Sequence, residues 1–66
     1  MIDYRAIRRK AGYSQARTAV ESGTSEPTVR LFEAAGPAGV KNDTKREALV
    51  AYYAGLARQV AARAAA

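Results

Sequence analysis

The side chains here with chemistry to offer are cationic. Eleven Lys and Arg against six Asp and Glu give a formal charge of +5 and a pI near 10.1. Seven of the eleven fall in flanks, Arg8, Arg9 and Arg17 in the first part of the chain and Lys41, Lys45 and Arg46 later, with Arg30 between. Such a bias attracts polyanions, nucleic acid before an anionic membrane surface; a basic surface with no partner is the plain alternative. Cations of this kind position a protein on a duplex by its phosphates without reading its sequence. Catalysis finds no footing. There is no Cys or His, no Gly-rich phosphate loop and no Ser or Lys beside an evident activating base. The same absence excludes a disulfide and a zinc site built on Cys and His side chains. No cofactor, metal or small-molecule ligand is expected.

The elements that must carry these cations are helical. A chain of 66 residues is one domain, and a domain of about this size buries only roughly 60% of its unfolded surface. Half of its 32 hydrophobic residues are Ala, so the core is thin and oligomerisation is a natural supplement. Asp3 caps a first helix, with Ile2 placed to staple onto Ile7; Tyr4, Ile7 and Ala11 share a face and Gly12 ends it. Ser14 caps a second helix, 15–22, stopped by Gly23. Ser25 caps a third, with Pro27 in its first turn, where a missing N–H costs nothing. A Gly- and Pro-bearing loop follows. Thr44 and Glu47 have capping-box spacing at the head of a long last helix, about 44–64. In it Leu49, Tyr52, Tyr53, Leu56 and Val60 form an amphipathic stripe, and residues 61–66 have little to pack and should fray. The reading is all-α: a small bundle of four or five helices, with no strand and no second domain. No signal peptide or membrane span is evident, which leaves a cytoplasmic address as the default.

The second and third helices have the makings of a helix-turn-helix. Ala19 is small enough for a close crossing, Gly23 tolerates a positive φ at the turn, and Val29 and Phe32 anchor the third helix inward. The outer side of that helix is then free to enter a major groove about 12 Å wide, where Arg30 could reach guanine or a phosphate. An ordinary helical hairpin within a bundle fits the same spacing.

The run Ile7-Arg8-Arg9-Lys10-Ala11-Gly12-Tyr13-Ser14-Gln15, followed by Ala19, Gly23, Ser25, Thr28, Val29, Phe32 and Glu33, resembles the lambda-repressor/Cro-like (XRE-type) helix-turn-helix DNA-binding family over roughly residues 3–36. The resemblance implies a lambda-repressor-like fold. It sets Gln15, beside the cap Ser14, where the family bonds the DNA backbone, and Lys41 and Asn42 in a loop that touches phosphate; an exposed polar loop is the alternative for those two. It places base reading on Ser25, Glu26, Thr28 and Leu31, although Glu26 serves equally as a first-turn acid on the helix dipole. It also implies that Arg8 pairs with Glu33, where a bidentate contact would fasten helix one to helix three; two solvated surface charges are the alternative. The sequence departs from the family where Thr18, Ser22 and Thr24 replace bulky apolar residues, which thins the contact between helices two and three.

The function so implied is a sequence-specific transcriptional regulator, a Cro-like repressor on an inverted-repeat operator in double-stranded DNA. A homodimer would form through Tyr53, Leu56 and Val60 as an exposed strip beyond the core; a last helix folded back over helices one and three is the alternative. Two rival functions stand beside it. One is an architectural or recombination-accessory DNA-binding protein; the other is a protein-interaction module using the C-terminal helix.

Overall fold

The computed structural model describes residues 2–65, and its helices begin and end on local signals. α1 spans Tyr4–Ala11, with the Asp3 side chain accepting from the Ala6 N–H at 3.0 Å. α2 spans Gln15–Ser22, with Ser14 accepting from the Arg17 N–H at 3.0 Å. α3 spans Glu26–Ala35 and is capped by Ser25. A single 3₁₀ turn, Pro37–Gly39, leads to α4, Asp43–Ala65. The described residues contain no strand, so the fold is an all-α bundle of four helices.

Gly23 makes the α2–α3 turn possible. Its φ of 72° is left-handed, and the turn is closed by Gly23 N–H to Val20 carbonyl at 3.2 Å and Thr24 N–H to Ala19 carbonyl at 2.8 Å. That is the paired closure of a Schellman motif, for which glycine has no side-chain penalty.

α2 packs on α3, and the second half of α4 packs along α1. The core lies between them: Ala19, Val29, Phe32, Val40, Leu49 and Tyr53, with Tyr4, Ile7 and Tyr52 packed against it. Tyr4 and Phe32 ring centroids are 4.4 Å apart, Phe32 and Tyr53 5.1 Å, and Tyr4 meets Tyr53 edge-on at 5.5 Å. Aromatics packed in tilted and edge-on pairs bury much area per residue, which offsets the Ala-rich composition. No helix among the described residues is long and apolar enough to cross a membrane.

Four expectations need correction. Tyr53 and Leu56 are buried in the monomer, and Val60 is half-buried beside Ile7 and Ala57, so they form no exposed dimer strip. A core this thin takes up most of the α4 stripe. The cap of α4 is Asn42 rather than Thr44: Asn42 Oδ1 accepts from the Lys45 N–H at 2.9 Å, and both Thr44 and Glu47 are exposed. Asn is among the strongest caps, and Arg46 secures that choice by donating to the Val40 carbonyl at 2.9 Å and pairing with Asp43. Ile2 is largely exposed, at 58%, rather than packed in as a tight staple, and the Tyr4 ring packs on Phe32 at that end of α1. The Ala-rich end stays helical to Ala65, where Arg63 donates to the Lys10 and Ala11 carbonyls at 3.5 and 3.4 Å, serving the open C-terminus of α1. Met1 and Ala66 lie outside the described residues.

Thr18, one of the departures from the bulky apolar pattern, is fully buried and its Oγ1 has no hydrogen-bond partner among the described residues. An unsatisfied buried hydroxyl costs about 1–3 kcal/mol. Thr18→Val keeps the shape and removes that cost. It is expected to stabilise the domain by about 1 kcal/mol, read as a thermal midpoint raised by roughly 4–8 °C. A lowered midpoint would mean that the hydroxyl is satisfied after all.

Candidate nucleic-acid interface

α3 presents two opposite faces. Val29 and Phe32 are fully buried, while Glu26, Pro27, Arg30, Leu31 and Ala34 are exposed along the outer side. No other segment among the described residues covers that ridge. At its front the Ser25 and Thr28 hydroxyls are hydrogen-bonded to each other at 2.8 Å, so the pair can still offer a proton or a lone pair outward, but as a coupled unit. Arg30 enters no ion pair among the described residues.

Open grooves border the ridge on both sides. On one, Arg5 and Gln15 lie across from Arg30 and Ala34. On the other, Lys41, Asn42 and Lys45 lie across from Thr28 and Leu31. Arg9, Ser14 and Arg17 are also exposed. Several of these side chains are partly committed, Gln15 to Glu33 and Ser14 to the cap of α2 among them. The Asn42 carbonyl oxygen caps α4, leaving its amide N–H groups to donate. Arg17 bonds Glu21 at 2.8 Å and lies 3.8 Å over the Tyr13 ring, which holds it against α2.

The ridge is fixed from behind by one carboxylate. Glu33 of α3 accepts from Arg8 of α1 through Nε at 2.6 Å and Nη2 at 3.2 Å, from Gln15 of α2 at 3.2 Å, and from the Tyr53 hydroxyl of α4. Arg8 also donates to the Tyr13 carbonyl at 2.8 Å. The Arg8 and Glu33 side chains are only 10% and 4% exposed, so neither is a solvated surface charge. Burial pushes the Glu33 carboxyl up, but the bonds from Arg8, Tyr53 and Gln15 together outweigh it and hold the group below the usual carboxylate range. Burial and the Glu33 contact push the Tyr53 phenol well above its ordinary value. Every helix thus sends a side chain to this point, directly behind the outward ridge.

Family models, curated proteins and solved structures show no match to this chain. The site therefore rests on its geometry. That geometry brings Gln15 against Glu33 and adds two residues that sequence reasoning had not placed in the site. Arg5 joins the groove beside Arg30; its signal was its place three residues before Arg8 on α1, toward the same neighbour. Tyr53 is the fourth member of the carboxylate network; a core tyrosine that must satisfy its hydroxyl was the available clue.

Proposed function

We propose that the chain is a sequence-specific DNA-binding regulator that lays α3 in the major groove as the second helix of a helix-turn-helix, with a lambda-repressor-like arrangement around it. The observation that carries this reading is the exposed α3 ridge with donors from separate elements on each side: Arg5 and Gln15 on one, Lys41, Asn42 and Lys45 on the other. A helix with its side chains is about 10–12 Å across, the width of the major groove, and the phosphate rails of the two strands would run along those flanks. Arg30, Leu31, Glu26 and the Ser25–Thr28 pair then face base edges. Repression, and a two-fold dimer on an inverted repeat, belong to the proposal through the resemblance to Cro-like proteins. Tyr53 and Leu56 are buried in the monomer, so the proposed dimer would pair through other residues.

Titration of labelled duplexes at several salt concentrations tests the electrostatic half of this reading. Each neutralised phosphate contributes about 0.9 to the slope of log affinity against log salt. Engagement by Arg5, Arg9, Lys41 and Lys45 gives a slope of roughly 3 to 4 per subunit. An absence of binding at low salt would contradict the reading and favour the protein-interaction module.

A further inference from the structure

We propose that Leu31 reads the 5-methyl group of a thymine and that the groove beside it seats the strand bearing that base; this rests on the DNA-binding reading above. Leu31 is 54% exposed on the outer side of α3, next to Thr28. Beneath it the groove is floored by Gly39 and the buried Val40, and its far rim is made by Lys41 and Lys45. Neither lysine enters an ion pair among the described residues.

The rim is held there by backbone contact rather than by chance. A Cβ on Gly39 would meet the Ala35 Cβ at 2.7 Å and the Leu31 carbonyl oxygen at 3.0 Å. Only a glycine lets the loop sit this close to the last turns of α3, and that approach sets Lys41 beside Leu31. The recognised group must therefore present a small apolar spot within reach of anionic charge. A thymine in the major groove does so: its methyl projects from the base edge, and the phosphates of its strand lie outside it. The patch is a single leucine, too small to bury a partner helix, and its cationic rim matches phosphate. Thr28, on the Leu31 side of α3, falls against a neighbouring base.

Deoxyuridine lacks only that methyl, so it isolates the contact. In a duplex recovered by selection from a random pool, each thymine is replaced in turn by deoxyuridine and affinity is measured by titration. At one thymine per half-site the wild-type protein is expected to lose about fourfold, the worth of one buried methyl. Leu31→Ala should bind the thymine duplex more weakly and show no thymine–uracil difference at that position. A Lys41→Ala, Lys45→Ala double variant should keep the difference while its salt slope falls by about 1.8 per subunit. If a duplex is recovered but no thymine is sensitive, or if sensitivity persists in Leu31→Ala, this inference is overturned and the DNA-binding reading stands. If no duplex is recovered, both fall.

Discussion

Glu33→Ala is expected to be among the most destabilising single substitutions in the chain. It leaves the Arg8 guanidinium, 10% exposed, with only the Tyr13 carbonyl, and strips the Gln15 amide and the Tyr53 hydroxyl of their shared acceptor. Removing one partner of a buried ion pair costs about 3–5 kcal/mol, because the other charge stays behind unpaired. The whole stability of a domain this size is on the order of 3–10 kcal/mol, so the substitution should remove about a third of it or more, read as a large fall in the urea midpoint. A loss under about 1 kcal/mol would place the pair among surface bridges. The pH dependence follows from the depressed Glu33 carboxyl. A folded-state value below the unfolded one contributes stability that is present above the ordinary carboxylate range and is lost as pH falls through the folded value. The wild-type urea midpoint should therefore drop on acidification below about pH 4, and Glu33→Gln should flatten that fall. An equally steep fall in Glu33→Gln would assign the acid sensitivity to other carboxylates.

Arg30→Ala is expected to leave stability unchanged, since the side chain is exposed and unpaired among the described residues, yet to weaken binding to a preferred duplex. A guanidinium reading guanine contributes about 1–3 kcal/mol of discrimination, equivalent to roughly 5- to 150-fold in affinity. Binding to scrambled duplexes should change far less. Lys45→Ala gives the opposite pattern: a nearly uniform weakening across sequences, with the salt slope reduced by about 0.9 per subunit. Parallel titrations on selected and scrambled duplexes separate the two. Equal losses of discrimination from both variants would mean that Arg30 does not read bases.

Much of the local architecture was legible because it is written in neighbouring residues. Asp3, Ser14 and Ser25 cap helices, and Gly12 and Gly23 end them, through bonds reaching no further than a few positions. The start of α4 was misread because Asn42 and Thr44 are both competent caps. The decision rests with Arg46, whose bond to the Val40 carbonyl depends on the path of the preceding loop. Tyr53 and Leu56 were misplaced for a different reason. Periodicity shows which face of a helix is apolar but not how many of its turns the rest of the chain can cover, and here α1 covers it far along. The four-helix convergence on Glu33 joins residues 18 to 25 positions apart. The resemblance pointed to Arg8 there, but Gln15 and Tyr53 come together only through the packing of α2 and α4 against α3.

Selection from a randomised duplex pool followed by sequencing tests the claim that the α3 ridge reads DNA most directly. The account predicts enrichment of a compact motif bound about 1,000-fold or more tightly than scrambled DNA, arranged as an inverted repeat, with the preference eroded by Arg30→Ala. A pool that emerges without any motif, or a protein that binds every duplex alike, would contradict it.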